Sequence, residues 1–283
     1  MGPDDLVLCS GTLRRGTPFA ARLAAASAAG FAAVSLWGRD YAAARAEGWS
    51  DADLRTMLDD HGLAVAEVDP AWWWPPGASD VVIPPGLDSE DIFGFGESEL
   101  FAVADALGAR SLNAVDVLGG TWDVDGAAEA FAGLCTRAAE HGLLVQLEWL
   151  SWSKIPDMTT ALHIVESAGQ PNGGLTIDAW HFVRTGTGLD QLREVPGASI
   201  LGVQLSDGPL EPESILLEAT LHHRRLPGEG EFDLPAIVGA LRHTGTQAPI
   251  GVEVFSDELH DQPVDSAARS AAQATLDVLR QAR

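Results

Sequence analysis

Cysteine is scarce in this chain of 283 residues, which contains only Cys9 and Cys135. Two isolated thiols form no disulfide framework, and such scarcity is typical of a protein that folds in a reducing compartment. Free cysteine packs like a small apolar residue, so we expect both side chains in the core. The sequence therefore favours a cytoplasmic location.

Positive charge is also scarce. The chain has 17 lysine and arginine residues against 41 acidic ones, a net charge of −24, and Lys154 is its one lysine. A surface this negative repels a phosphate backbone, which argues against nucleic acid as a partner. A small anion such as a sugar phosphate stays open, because one arginine is enough to hold it.

Long apolar runs are missing as well. No stretch of about 18 apolar residues occurs, so we expect no transmembrane helix and no membrane partner. The first residues, MGPDDLVLCSG, are acidic before a short apolar run. A secretory signal needs a basic start and a longer apolar segment, so we expect none.

What the chain does contain is a regular alternation of strand-like and helix-like segments. Glycine recurs where a helix gives way to a strand, as a left-handed helix cap requires. The eight predicted strands are Leu6–Leu13, Phe31–Trp37, Leu63–Val68, Ser111–Leu118, Leu143–Trp149, Leu175–Trp180, Ile200–Leu205 and Ile250–Phe255. The predicted helices include Pro18–Ala29, Glu97–Leu107, Gly126–His141, Met158–Ala168, Leu189–Val195, Leu234–His243 and Val264–Gln281.

Eight strands in strict alternation with helices predict an α/β fold, a (β/α)8 TIM barrel formed by one domain over residues 1–283. An open, doubly wound sheet is the alternative. Its glycine-rich first turn is absent here, because the first turn reads CSGTLRRGT and lacks G-x-G-x-x-G. The run WWWPPGASDVVIPPG, residues 72–86, is interpreted as a long excursion within the barrel and not as a domain boundary.

Metal-capable side chains lie at the ends of four successive predicted strands. Glu148 ends the fifth strand, Asp178 the sixth, Gln204 the seventh and Glu253 the eighth. A TIM barrel aims such residues at one axis. Three carboxylates and one amide oxygen form a hard ligand set, which suits one divalent cation, Mn²⁺ or Mg²⁺ before Co²⁺ or Zn²⁺. The alternative is that each acid is a solvated loop residue or a helix N-cap.

This strand-end pattern, with His181 three residues after Asp178, resembles that of the xylose isomerase-like TIM barrels, the sugar phosphate isomerase/epimerase superfamily. The segment HHRRLPGEGEFDL, residues 222–234, is similar to the Arg-x-Pro-Gly-x-Gly segment of that superfamily. The resemblance covers about residues 143–258, and the N-terminal half matches in strand rhythm only. It implies that Glu148, Asp178, Gln204 and Glu253 hold one cation that chelates a small hydroxy-carbonyl substrate.

The same resemblance implies which residues act on the substrate. The catalytic residues are His181, Glu148 and Glu253, and His181 is the first candidate base because its ordinary pKa suits neutral pH. A role for His181 limited to hydrogen bonding of a substrate hydroxyl stays open. Arg224 or Arg225 anchors the substrate. Aromatic residues at the strand ends, above all Trp149 and Trp180, stack on it and favour a substrate with an apolar face, with core packing as their alternative role.

Lys154 marks a departure from one branch of the superfamily. Ketose 3-epimerases have a second glutamate at this position, six residues after the glutamate of the fifth strand. The stretches EWLSWSK and VQLSDGP look closer to the 3-dehydroshikimate dehydratase branch. The resemblance therefore implies a metal-dependent lyase that removes a proton beside a carbonyl and then eliminates water. The alternative is a sugar or sugar phosphate isomerase or epimerase that uses the same metal site.

Two unrelated functions are alternatives to this enzyme. A DNA-repair nuclease on the same barrel needs a basic face, which this chain lacks. A non-catalytic binding barrel is the other, and the intact set of metal-capable residues argues against it. The sequence does not fix the oligomeric state, and a homodimer is compatible with it.

Overall fold

Each strand of the chain pairs in parallel with the next, and the last pairs with the first, so that the sheet closes into a barrel in the order β1 to β8. This is seen in a computed structural model that describes residues 1–80, 93–117, 119–211 and 215–282. The strands are β1 (Leu6–Leu8), β2 (Ala33–Trp37), β3 (Ala64–Ala71), β4 (Ser111–Val115), β5 (Leu144–Glu148), β6 (Gly173–Asp178), β7 (Ile200–Leu205) and β8 (Ile250–Val252). The predicted TIM barrel is thus confirmed.

Twelve α-helices surround the barrel in the described part of the chain. They are α1 (Phe19–Ala29), α2 (Gly38–Ala46), α3 (Asp51–Asp60), α4 (Glu97–Leu107), α5 (Val124–Glu140), α6 (Met158–Ala168), α7 (Ala179–Arg184), α8 (Leu189–Glu194), α9 (Leu216–His222), α10 (Leu234–Thr244), α11 (Asp257–His260) and α12 (Val264–Gln281). None of these helices combines the length and apolar character that a membrane span requires.

The core lies between the barrel wall and the helices. Strand residues such as Leu112, Leu147 and Ile177 are fully buried, as expected for parallel strands covered on both faces. Helix α12 illustrates the outer layer, because Ala267, Ala271 and similar buried residues recur at intervals of three or four. Both cysteines are buried, which confirms their predicted place in the core.

Five of the eight predicted strands end earlier than expected, including the fourth at Val115 and the fifth at Glu148. The first ends at Leu8 and not at Leu13, because Thr12 turns inward: its hydroxyl donates to the carbonyl of Val252 and accepts the N–H of Val254. These bonds also end β8 at Val252, before the predicted Phe255.

The sixth strand ends at Asp178 and not at Trp180. The carboxylate of Asp178 accepts the N–H of Trp180 at 2.9 Å and caps α7, so that His181 lies on a helix. The short helices α7, α9 and α11 were not predicted. Part of the predicted excursion at residues 72–86 lies outside the described residues. Leu118, at the end of the fourth predicted strand, also lies outside them.

Candidate active site

Three side chains converge where β5 and β6 end. Glu148 is the last residue of β5, Asp178 is the last residue of β6, and His181 lies in the helix that follows. All three are buried, and one ligand atom from each lies within 4.8 Å of the other two. The Nε2 atom of His181 is 3.8 Å from Glu148 Oε1 and 3.7 Å from Asp178 Oδ2.

Gln204 and Glu253 lie beside this cluster, on β7 and on the residue after β8, and are linked to it through Arg224. The amide nitrogen of Gln204 is 3.4 Å from Glu253 Oε1. Arg224 lies between the two sides, with Nη1 at 2.9 Å from Asp178 Oδ2 and 3.3 Å from Glu253 Oε2. The four strand-end residues that the sequence singled out are therefore brought to one end of the barrel.

These residues fit a divalent cation. The Oε1 atom of Gln204 is buried and has no hydrogen-bond partner among the described residues. A buried amide oxygen of this kind costs free energy unless something coordinates it. If ionised, the carboxylates of Glu148, Asp178 and Glu253 leave two negative charges unbalanced by Arg224, which a divalent cation would neutralise. Oxygen donors with one imidazole suit Mg²⁺, Mn²⁺ or Zn²⁺.

The pKa shifts of the cluster also indicate a cation site. Burial, reinforced by the charges of Glu253 and Asp178, raises the pKa of Glu148 well above its ordinary value. Burial raises the pKa of Glu253 to about 7, although Arg224 opposes this shift. Burial lowers the pKa of His181 to about 3, so its imidazole is neutral at neutral pH. Protein groups alone thus disfavour the ionised carboxylates, and a cation would favour them.

Asp207 explains the structural role of the Pro-Gly-x-Gly segment. Its fully buried carboxylate accepts the N–H groups of Gly228 and Phe232 at 2.9 and 3.0 Å. Its backbone forms an antiparallel bridge with Arg225, whose N–H donates to the Asp207 carbonyl at 2.8 Å. This clamp fixes the chain beside Arg224, and the signature therefore positions that arginine.

The two arginines have different environments. Arg224 is 2% exposed and lines the cavity above the cluster, whereas Arg225 is exposed and lies outside that cavity. Arg225 does not line this cavity and instead borders a separate surface pocket with Glu229 and Asp277, so its position does not support the predicted anchoring role. Arg224 is the arginine that can reach a substrate.

The predicted contacts of Trp149 and Trp180 with substrate are not supported by their positions. Both side chains are fully buried and neither lines the cavity. The indole N–H of Trp180 donates to Thr220 Oγ1 at 2.8 Å, and its ring lies 5.4 Å from the Arg224 guanidinium. Trp180 is thus a positioning residue behind Arg224, because it presents no surface to a ligand.

A cavity of about 120 Å³ lies directly over the cluster. Half-buried Trp37, Trp152 and Phe255 form part of its wall, together with Leu217 and Leu221 of α9. Trp37 and Trp152 were among the aromatic residues that the strand-end pattern indicated. The contribution of α9 was missed, although the spacing of Leu217 and Leu221 in LLEATLH is a helical one.

Two polar residues from β3 and β4 also line the cavity. Asn113 donates from Nδ2 to Glu148 Oε2 at 2.6 Å and so orients that carboxylate. Asp69 is buried, its Oδ2 has no hydrogen-bond partner among the described residues, and its carboxyl group hydrogen bonds Glu67 deeper in the barrel. Burial raises the pKa of Asp69 well above its ordinary value. Asp69 directly follows the predicted third strand, a strand-end position, whereas Asn113 lies within the fourth and had no such signal.

Lys154 lies at the rim and does not line the cavity. Its ammonium group donates to the carbonyls of Gly120 and Trp122 and lies 4.5 Å from the Trp122 ring centroid. Its backbone N–H donates to Asp116 at 3.2 Å. The position therefore supplies neither an acid nor a free cation to the cluster.

Known proteins resemble the chain in sequence. A family model described as xylose isomerase-like TIM barrel matches residues 23–282. A 3-dehydroshikimate dehydratase of Pseudomonas aeruginosa is 32% identical over 161 residues, which are 56% of this chain and 23% of that protein. An inosose isomerase of Bacillus subtilis is 27% identical over 144 residues, 50% of this chain and 51% of that protein. The matches thus span about half of the isomerase and a quarter of the dehydratase.

Solved structures agree on the fold. A crystal structure of the IOLI protein with a bound zinc atom has a TM-score of 0.82 at 20% identity, covering 99% of each chain. A D-allulose 3-epimerase from Methylomonas sp. has a TM-score of 0.70 at 17% identity, covering 98% of this chain and 99% of that one. The family model spans nearly the whole of a closed eight-stranded barrel, and this chain accordingly belongs to the xylose isomerase-like TIM barrel family.

Proposed function

We propose that this chain is a divalent-metal-dependent enzyme that removes the proton beside the carbonyl of a cyclic or polyhydroxylated hydroxy-ketone and eliminates water. The observation that carries the proposal is the convergence of Glu148, Asp178 and His181, whose ligand atoms lie within 4.8 Å of one another. Glu148 and Asp178 would hold the cation together with Glu253 and the unpartnered amide oxygen of Gln204, and His181 lies beside this ligand set. Mn²⁺ or Mg²⁺ is the expected cation, with Zn²⁺ or Co²⁺ as substitutes.

When bound, the cation would polarise the substrate carbonyl and stabilise the charge that develops on its oxygen, a contribution of several kcal/mol. Asn113 keeps Glu148 in place through its 2.6 Å hydrogen bond. Arg224, fixed by Trp180 and by the Asp207 clamp, presents a permanent positive charge to an anionic or carbonyl group of the substrate.

His181 is the proposed base. Burial lowers its pKa to about 3, so the imidazole is neutral, and the adjacent charge of Asp178 opposes that shift and would stabilise the imidazolium formed when it accepts a proton. A positioned base contributes about 10²–10⁴-fold in rate. In the elimination, the electrons of the broken C–H bond form a C=C bond and expel the hydroxyl group of the adjacent carbon. The proton removed from carbon balances the departing hydroxide, so the products are water and an unsaturated ketone.

Elimination is favoured over isomerisation because Lys154 occupies the position of the second epimerase acid and is bound to loop carbonyls. The similarity to 3-dehydroshikimate dehydratase supports the same choice. Isomerisation is the second candidate, because the inosose isomerases are similar over a comparable length. Analysis of products for loss of water or for an epimer separates the two.

Asp178→Asn provides the first test. It removes a negative ligand while keeping the shape, and we expect Mn²⁺ affinity measured by calorimetry to fall at least 100-fold. Exchange of substrate α-protons with deuterium should be lost with it. Asp190→Asn is the matched control, since Asp190 is 95% exposed and far from the cluster in the fold. Unchanged Mn²⁺ affinity in the Asp178→Asn variant would overturn the proposal.

A further inference from the structure

The cavity above the cluster separates polar from apolar groups. Its titratable groups, apart from Asp69, are those of Glu148, His181, Arg224 and Glu253, and they lie together at the floor. The remaining wall is formed largely by indole, phenyl and aliphatic side chains, among the residues that the structure describes. A substrate that fits this division has a polar edge and an apolar remainder.

The aromatic wall adjoins the reacting centre. The Trp152 ring meets the His181 ring edge-on, with centroids 5.3 Å apart. On the other side Trp37 and Phe255 lie 6.0 Å apart, centroid to centroid. All three aromatic side chains are only half-buried, so each keeps a ring surface that a ligand can cover.

Helix α9 adds a second apolar surface. Leu217 and Leu221 are one helical turn apart, are half-buried, and line the cavity. The one hydroxyl that α9 brings to the cavity belongs to Thr220, and it already donates to the Leu216 carbonyl and accepts from Trp180. The hydroxyl hydrogen of Thr220 is therefore already used and is not available to a substrate hydroxyl.

The polar wall residues of β4 and β3 are partly used by other protein groups. Asn113 donates from Nδ2 to Glu148 and accepts at Oδ1 from Thr176. Of these two residues, Asp69 has an oxygen that is buried and unpartnered in the described part of the chain. A hydroxyl that loses water without finding a partner costs about 1–3 kcal/mol, so a ligand with several hydroxyls along this wall would bind poorly.

From this arrangement we infer that the site selects a hydroxy-ketone whose non-reacting part is a single apolar ring, with its hydroxy-carbonyl edge at the floor. The cavity of about 120 Å³ is smaller than the roughly 150 Å³ apolar cavity that accepts one benzene molecule, so its wall can cover one ring and no more. The inference rests on the proposed function for the direction of the polar edge, and it narrows the substrate class beyond polyhydroxylated rings.

Two probes with the same chelating group test the inference. The phenyl ketone 2-hydroxyacetophenone and the polyol ketone dihydroxyacetone share a hydroxymethyl ketone and differ in the remaining substituent. Calorimetry on the full chain with Mn²⁺ is expected to give at least tenfold tighter binding of the phenyl probe. Equal binding of the two, or tighter binding of dihydroxyacetone, would overturn the inference.

Variants of α9 test whether Leu217 and Leu221 cause the preference for the phenyl probe. Leu217→Asn and Leu221→Asn, each made separately and checked for a wild-type circular dichroism spectrum, should lower the phenyl preference at least fivefold. Leu276→Asn is the control, since Leu276 is 37% exposed on the surface of α12 and does not line the cavity. An unchanged preference in both α9 variants would exclude this wall as its source.

The same titrations without Mn²⁺ distinguish the two proposals. A phenyl preference that needs no metal supports the apolar site and counts against the metal-dependent chemistry. Metal-dependent binding without a phenyl preference supports the proposed function and rejects the apolar selection. Absence of binding by either probe with Mn²⁺ rejects the inference together with this form of the proposed function.

Discussion

The two halves of this barrel present different surfaces to one cavity. The ends of β5 to β8 supply Glu148, Asp178, Gln204 and Glu253, which gather around Arg224. In the described residues, the ends of β1 to β4 supply no part of this cluster, and the apolar wall comes from both halves, with Trp37 from the first and Trp152 and Phe255 from the second. The fold is the same in both halves, so the difference arises from the few side chains at the strand ends.

Both halves bury carboxyl groups, but they stabilise them differently. In the second half a guanidinium lies 2.9 Å from one carboxylate and 3.3 Å from another. In the first half Glu67 and Asp69 hydrogen bond each other, with desolvation as the dominant influence on both. One pair of carboxyls thus depends on a permanent positive charge, and the other depends on a shared proton.

The largest expected effect is that of removing the positive charge of Arg224. Arg224→Met leaves Asp178 and Glu253 buried without their partner, and we expect a loss of about 3–5 kcal/mol of unfolding free energy at neutral pH without metal. Denaturant unfolding in the presence of a chelator measures it. Arg225→Met, at the exposed neighbouring position, should change stability by less than about 0.5 kcal/mol. A loss below about 1 kcal/mol for Arg224→Met would show that Arg224 does not stabilise the buried carboxylates of Asp178 and Glu253.

The next prediction concerns the buried carboxyl group of Glu67, in the first half of the barrel. Burial raises the pKa of Glu67 to about 8, whereas an unfolded chain has a value near 4.3. The folded protein therefore retains a proton that the unfolded chain has released, and the unfolding free energy falls as pH rises between those values. Glu67→Gln removes this cost. The substitution should therefore raise the unfolding free energy at pH 8 by about 2–5 kcal/mol more than it does at pH 4.5.

Unfolding free energies of Glu67→Gln and wild type, followed across that pH range, provide the measurement. The exposed Glu140→Gln substitution is the control, and it should leave the wild-type pH profile unchanged. A Glu67→Gln profile parallel to that of wild type would show that Glu67 does not hold the proton.

The second half of the site could be predicted from the sequence, because its residues follow a fixed strand-end pattern. Glu148 and Asp178 are the last residues of β5 and β6, one and two residues before the predicted ends, and Gln204 lies one residue before the end of β7. Parallel strands in a barrel bring such positions together without any further information.

The first half and the identity of the wall residues could not be predicted. Trp149 and Trp152 are three residues apart, and only the structure shows that the first is fully buried and the second lines the cavity. The choice depends on the path of a loop and on the packing of short helices such as α9, which have weak sequence signals. Asp69 likewise gained its importance only from burial without a partner.

The third prediction compares two glutamines. Gln146 and Gln204 are both buried in the barrel with an unpartnered Oε1 atom, but only Gln204 adjoins Glu253. Gln204→Leu should weaken Mn²⁺ binding about 10–100-fold, as the loss of a supporting ligand does. Gln146→Leu should leave the metal affinity within about twofold of wild type. Equal losses in both variants would mean that packing, and not coordination, explains the effect.

The smallest effect is expected at Lys154, which belongs to the rim and to neither half of the site. Lys154→Met keeps the aliphatic stem beside Trp122 and removes the hydrogen bonds to two loop carbonyls. Because the group is at the surface, we expect a loss of less than about 1 kcal/mol in unfolding free energy. Mn²⁺ affinity and the rate of α-proton exchange should stay within about twofold of wild type. A tenfold lower exchange rate at unchanged Mn²⁺ affinity would instead make Lys154 part of the chemistry and reopen the comparison with the epimerases, whose acid lies at this position.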